Sequence, residues 1–279
     1  MENIVPIRID LADYEYAGEG ANGSSYNHKT DPNVILKLYN PGKGEYAIKE
    51  LLVARKVYEL GIPTPEPGDL VTDGERNGIR FRRIPGKKSF SRAIGDDPAH
   101  VADYAAQFAQ MCRELHKVHV GTTNFINVKD HYYDLLAQNP FFSADEKEKL
   151  AAFISQAPDT DIAIHGDLQY SNAIFSGDEK YFIDLGDFCY GYPLFDIGMV
   201  YLCSVLSDES FIREVYHMEK STSIAFWKAF APVYFGPQAD LEACEREVRL
   251  YAGLKTLLVE RDTHQPMPEF RVELEPILK

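Results

Sequence analysis

Apolar and polar positions change period several times along the 279-residue chain, and each change marks an expected element. Ser25 to His28 and Val34-Ile35-Leu36-Lys37-Leu38-Tyr39 read as strands around the turn Thr30-Asp31-Pro32-Asn33. From Glu45 to Leu60 the spacing becomes helical. Ile48, Leu51, Leu52, Val57 and Leu60 are available for one face, and the pattern stops at Gly61 before Pro63. Three short apolar runs, Ile162-Ala163-Ile164, Ala173-Ile174-Phe175 and Tyr181-Phe182-Ile183, read as buried strands. The rest is mostly helical: Val101 to Val120, with Tyr104, Phe108, Met111 and Leu115 on one face, then Ala144 to Gln156, Ile197 to Leu206, Phe211 to Phe230 and Ala239 to Arg261. Pro232, Gly236 and Pro237 are expected to form a break.

The chemistry concentrates in His165-Gly166-Asp167-Leu168-Gln169-Tyr170-Ser171-Asn172 and in Ile183-Asp184-Leu185-Gly186-Asp187. Asp and Asn are common in turns, where they bond their own backbone, so their presence alone decides little. The flanking runs add the argument. They place Asp167 and Asn172 on a loop between strands and Asp184 at a strand end. Phosphoryl transfer needs a positioned proton acceptor and metal ions across the phosphates. Asp167 suits the first task, and Asn172 with Asp184 suits oxygen ligation of magnesium. Gly18-Glu19-Gly20-Ala21-Asn22-Gly23 fits G-x-G-x-x-G, which lets backbone amides approach phosphates. An ordinary hairpin turn explains that match nearly as well. In a dinucleotide-binding fold, however, the glycines open a helix, whereas here they join two strands, as in kinases. Lys37 interrupts an apolar strand and needs a partner. Glu50, early in the following helix, is the preferred one and Glu45 the competitor.

On these residues the chain resembles the aminoglycoside phosphotransferase and choline kinase branch of the protein-kinase-like superfamily, from near Gly18 to at least Asp196, with the motifs in that family's order. The resemblance implies an α+β, two-lobed protein-kinase-like fold. A small β-rich N-lobe over 1–85 would bind the nucleotide, and a larger, mostly helical C-lobe over 86–279 would carry catalysis and the acceptor. It also implies Asp167 as catalytic base and Asn172 and Asp184 as magnesium ligands. Gly18, Gly20, Gly23, Ser24, Lys37 and Glu50 would meet the phosphates of ATP, with GTP as an alternative donor. Arg82 to Ile84 would form the adenine-facing hinge before Gly86, with Arg83 and Ile84 as contacts, and Asp196 would be structural. Two features depart from protein kinases. Gly166 stands where those usually carry an Arg that reads a phosphorylated loop, and only eleven residues separate Asp184 from Asp196. Both favour a constitutively competent small-molecule kinase. Arg82-Arg83 is more basic than the family's usual hinge.

Composition adjusts this picture at its edges. The chain is 45% hydrophobic, enough for one substantial core or two smaller ones. Cys112, Cys189, Cys203 and Cys244 form no C-x-x-C pair and no metal spacing, which points to a reduced cytoplasm. Met1 to Asp13 lacks the make-up of a leader, and no apolar run approaches the length of a membrane span. The net charge is −14, unevenly spread: residues 151 to 206 hold eight acidic side chains and Lys180 as the single base. Nucleic acid is thereby disfavoured as a partner. A cationic small-molecule acceptor would be attracted, although acidic surface also simply keeps a protein soluble. His116 and His119 are read as packed or exposed and not as zinc ligands, and Trp227, Tyr234 and Tyr251 as core ahead of an aromatic wall for an amine. The leading expectation is an ATP-dependent phosphotransferase acting on a small-molecule hydroxyl. A nucleotide-binding regulator without turnover is the alternative from another class.

Overall fold

The sheet of the N-terminal region is a consequence of two periods meeting. In the computed structural model, which describes residues 4–20 and 22–279, β1 (Ile7–Arg8), β2 (Tyr14–Gly20), β3 (Gly23–His28), β4 (Val34–Tyr39), β5 (Pro67–Thr72) and β6 (Asn77–Arg82) form one sheet in the order β1-β5-β6-β4-β3-β2. All pairs are antiparallel except β1 with β5. Ala21 of the glycine run and Met1 to Asn3 of the N-terminal stretch lie outside the described residues. Alternation along β4 sends Leu36 and Leu38 into a cluster with Ile9, Tyr14 and Val71. It sends Lys37 and Tyr39 to the opposite face, where Tyr39 packs with Ala47, Leu51, Leu70 and Ile79.

The second face is covered by α1 (Gly44–Glu59), whose buried residues Ala47, Glu50, Leu51, Ala54 and Val57 follow helical spacing. The helix stops as its sequence foretold. Gly61 takes φ 74°, and the amide of Ile62 reaches back to the Val57 carbonyl at 3.3 Å, a left-handed cap that glycine accommodates best. One buried carboxylate, Glu50, thus faces the strand positions that carry Lys37 and Tyr39.

The chain divides into two compact units. The first comprises Met1–Lys88 with Ile174–Asp187, and the second Ser89–Ala173 with Phe188–Lys279. The second unit is mostly helical. Its longest helices are Val101–Leu115, Lys220–Phe235 and Leu241–Leu254. Phe108 of the first of these packs against Phe226 and Phe230 of the second, at ring separations of 5.8 and 5.9 Å. Helix Leu194–Tyr201 lies against Leu241–Leu254 so closely that a Cβ on Gly198 would overlap the backbone of Tyr251 and Ala252. Short strands Ala163–Ile164 and Cys189–Tyr190 pair beneath the loop 165–172.

Several boundaries differ from the sequence expectation. The helix from Val101 ends at Leu115, not Val120. Residues beyond it turn extended, with the Val120 amide bonding the Asp161 carbonyl and the Ala163 amide the Val118 carbonyl, both at 2.9 Å. Pro232 lies inside helix Lys220–Phe235, which ends only at Gly236. The packed face that includes Phe226, Phe230 and Ala231 outweighs one missing backbone bond. The expected helix Phe211 to Phe230 begins instead with a widened, π-helical turn, Ile212–Tyr216, followed by His217 in left-handed conformation at φ 58°. Phe90–Asp96 and Val128–Gln138 are helices that the periodicity left unassigned. The region expected as Ala239 to Arg261 is two helices, Leu241–Leu254 and Thr256–Thr263.

Candidate active site

In the first unit, three charged groups converge. The Lys37 ammonium donates to both Glu50 oxygens, at 3.0 and 2.7 Å, and to Asp184 Oδ1 at 2.9 Å. The competing partner Glu45 is exposed, so the register of α1 selects Glu50. Tyr39 donates its hydroxyl to Glu50 as well. Burial alone would pull the Lys37 ammonium down. The charges of Asp184 and Glu50 outweigh it and raise the group above its ordinary value. Burial raises the Glu50 carboxyl, with Lys37 opposing, and burial beside Glu50 pushes the Tyr39 hydroxyl well up, so Tyr39 remains a donor. Asp184 is the open member of the set. Its side chain is 37% exposed against 5% for Glu50.

Asp184 follows strand Glu179–Phe182 and takes φ 62°, a left-handed conformation that Asp tolerates better than most residues with a side chain. The turn Leu185–Asp187 then brings Asp187 Oδ1 to 3.5 Å from the Lys49 ammonium. Glycines of the expected phosphate loop fall into two kinds. Gly23 pairs with Tyr39, and a Cβ there would overlap the Leu38 carbonyl and the Tyr39 Cα, so the approach of β3 to β4 requires glycine. Among the described residues, Gly18 has nothing within 4 Å of such a Cβ, and Gly20 only the Gly23 carbonyl at 3.7 Å. Packing among those residues places no demand for glycine at either. Ser24 is half-buried opposite Leu38. Arg83 and Ile84 follow β6 and are half-buried, with the Arg83 amide bonding the Asn33 carbonyl at 2.7 Å.

In the second unit, the loop 165–172 is organised around two acids. Asn172 Nδ2 donates to Asp167 Oδ2 at 2.8 Å and to the Asp167 carbonyl at 3.0 Å, and Gln169 Nε2 donates to the same Oδ2 at 3.0 Å. Asp196, fully buried, accepts the backbone amides of His165 at 2.7 Å and Gly166 at 2.9 Å. His116 Nε2 lies 3.1 Å from Asp196, so that nitrogen carries the proton, and its Nδ1 lies 2.7 Å from the Tyr234 hydroxyl. Burial would raise the Asp196 carboxyl. The His116 ring, with His165 and Lys255 adding their fields, holds it below the usual carboxylate range. Lys255, also buried, donates to the Gly166 carbonyl at 3.3 Å.

Sequence reasoning missed Lys255, Gln169 and Tyr216, and it saw His116 only as packed or exposed. Lys255 carries the signal already used for Lys37, a lysine interrupting an apolar run, here Leu254-Lys255-Thr256-Leu257-Leu258. Trp227 and Tyr251 are 3% exposed and belong to the core. The Tyr234 ring stacks on Phe230 at 5.5 Å and serves His116 with its hydroxyl.

A β-rich unit and a mostly helical unit that carries an Asp-bearing loop are the make-up of the kinase-like fold. A model of the Phosphotransferase enzyme family matches residues 13–219, and the chain belongs to that family. Among solved structures, a thermostable mutant of aminoglycoside phosphotransferase APH(4)-Ia, in a ternary complex with ADP and hygromycin B, is similar at 14% identity and TM-score 0.61, over 96% of this chain and 93% of that one. A choline/ethanolamine kinase family protein from Mesorhizobium loti shares 16% identity at TM-score 0.57, covering 95% of this chain and 85% of its own. Aminoglycoside phosphotransferase APH(3'')-Id from Streptomyces rimosus, with ADP and streptomycin, shares 18% identity at TM-score 0.56 over 89% and 98%. No curated protein matches. At these identities the likeness is one of fold.

Proposed function

We propose that the protein is an ATP-dependent phosphotransferase that moves the γ-phosphoryl group to a hydroxyl of a small molecule of aminoglycoside, amino-alcohol or sugar type. The carrying observation is the Lys37 ammonium shared between a buried Glu50 and a half-open Asp184. An ammonium held charged by an inner carboxylate can trade its outer partner for an anionic phosphate. The space around Gly18 and Gly20 supports the same reading, because no packing among the described residues accounts for glycine there. All four cysteines are free, which supports a reducing cytoplasm.

Each unit offers an oxygen donor of the kind magnesium takes. In the first, Asp184 offers a carboxylate. In the second, Asn172, whose amide nitrogen is engaged by Asp167, would offer its carbonyl oxygen. No group of three or more His, Cys, Asp or Glu side chains among the described residues could hold a metal by itself. Magnesium, when bound, neutralises charge across the phosphates. Lys37 adds positive charge where the phosphates would lie. Asp167 orients the acceptor hydroxyl and accepts its proton. The acidic surroundings of the loop favour an acceptor that carries amines.

The test is to mix the protein with Mg-ATP, and separately Mg-GTP, and a panel of hydroxylated metabolites and amine-bearing antibiotics, and to follow nucleoside diphosphate release. Acceptor-dependent release is expected. Nucleotide binding without release across the panel would replace the enzyme reading with that of a regulator.

A further inference from the structure

Gln169 lies between two groups that occupy both ends of its amide. Its Nε2 donates to Asp167 Oδ2 at 3.0 Å, and its Oε1 accepts from the Tyr216 hydroxyl at 2.5 Å. Because a carboxylate can only accept, Asp167 fixes which end of the amide faces it, and the remaining oxygen must find a donor. Tyr216 is that donor. Burial pushes its hydroxyl well up, so the proton stays on the phenol. The same hydroxyl touches Cys203 Sγ at 3.0 Å, and burial pushes that thiol up to about 12.

Tyr216 is itself immobilised from several sides. It closes the π-helical turn Ile212–Tyr216, and the next residue, His217, is left-handed. Gly95, on helix Phe90–Asp96, approaches His217 so closely that a Cβ would overlap its carbonyl oxygen. The Tyr216 ring meets Tyr170 edge-on at 4.5 Å. Asn172 supplies the second N–H to Asp167 Oδ2, so two amides converge on one carboxylate oxygen and set the rotation of the group.

We propose that Gln169 and Tyr216 are positioning residues for Asp167, with Tyr216 acting through Gln169. The role rests on the reading of Asp167 as proton acceptor. A base whose oxygen is displaced by even 1 Å loses a large part of its advantage, so a side chain that fixes its rotation affects the rate and not the affinity.

The test combines three variants with a measurement that needs no turnover. Gln169→Leu should lower kcat about tenfold and Tyr216→Phe about threefold, with KM for Mg-ATP and for the acceptor changed less than about twofold. Gln169→Leu combined with Tyr216→Phe should be no slower than Gln169→Leu alone, because both act through one contact. Losses that multiply would overturn the coupling. A loss confined to acceptor KM would make Gln169 an acceptor contact and overturn it too. In substrate-free protein, Tyr216→Phe should shift the nitrogen-15 resonance of the Gln169 side-chain amide, and an unmoved resonance would refute the contact even if a variant were too unstable for kinetics. A resonance shift on Tyr216→Phe together with wild-type protein that turns over no acceptor would count against the phosphotransferase reading and with it the catalytic role, leaving the Gln169–Tyr216 contact itself standing.

Discussion

Two clusters of charge, one in each unit, are built from the same materials and differ in closure. Asp196 is wholly enclosed, with two backbone amides, an imidazole and the field of a buried lysine around it. Asp184 is joined to Lys37 but keeps 37% of its side chain exposed. A buried charge that is fully satisfied from within has nothing left to offer a ligand, and its loss is felt as instability. A charge satisfied on one side and open on the other can exchange partners. The difference separates an acid that holds the loop 165–172 in shape from one that, on the proposed function, would be free to take a metal ion.

The sharpest way to break that separation is Asp167→Asn. The amide keeps the shape but cannot take a proton, so acceptor-dependent ADP release should fall by roughly 10² to 10⁴-fold. Mg-ATP affinity, measured by titration calorimetry, should change less than about tenfold, since the lost interaction belongs to the transition state. A variant as active as wild type would remove Asp167 from the mechanism.

Asp196→Ala should act on the other side of the comparison. Removing the enclosed carboxylate leaves the His165 and Gly166 amides without an acceptor, at a cost of about 3 to 5 kcal/mol in urea unfolding. The pH dependence follows from the depressed carboxyl. Its contribution is complete above the unfolded-state value near 3.8 and is lost as pH falls through the lower folded-state value. Wild type should therefore lose stability more steeply than Asp196→Ala below about pH 4. Lys255, raised despite its burial, contributes in the opposite window: fully below about pH 10.5, with loss as pH rises further. Equal acid slopes for wild type and variant would show that Asp196 is not held in the charged form.

Much of this contrast could be read in the residues themselves, and the remainder could not, for physical reasons. The Lys37–Glu50 pair was legible because a lysine on a buried strand must find a carboxylate, and the helix pattern offered Glu50 with one competitor. The carboxylates of the two loops were legible from spacing between apolar runs. Tyr216 was not, since its position depends on a left-handed residue after a π-helical turn, and neither leaves a periodic trace. The overrun of helix 101–115 has a similar origin. Val118 and Val120 continue an apolar pattern that suits a helix, while long-range pairing with residues 161–163 claims their backbone. Pro232 shows the reverse error, a local breaker overruled by packing.

Lys37→Ala and Glu50→Ala sharpen the comparison within the open cluster. On the proposed function, Lys37→Ala would remove a direct phosphate contact and should harm activity more than Glu50→Ala, which would remove only the group that orients it. We expect a loss of about 10²-fold against about tenfold in kcat/KM. Unfolding stability of Lys37→Ala should fall less than that of Asp196→Ala, because the open cluster is partly solvated. If the ordering of stabilities is reversed, closure is not what distinguishes the two sites.

The smallest effect concerns the glycines, where the same division between fold and ligand recurs within one loop. Gly23→Ala forces a Cβ against the Leu38 carbonyl and the Tyr39 Cα, backbone atoms that cannot give way without parting β3 from β4. A loss of about 1 to 3 kcal/mol is expected, as for other overpacked sites. Gly18→Ala meets nothing within 4 Å and has no positive φ to lose, so its stability should stay within about 0.5 kcal/mol of wild type. On the proposed function, any cost at Gly18 should instead appear as weaker Mg-ATP binding, because a bound phosphate would meet the added methyl. Paired unfolding curves and nucleotide titrations of the two variants decide the matter. A Gly18→Ala protein with unchanged stability and unchanged nucleotide affinity would take Gly18 out of the phosphate loop and leave Gly20 as its remaining open glycine.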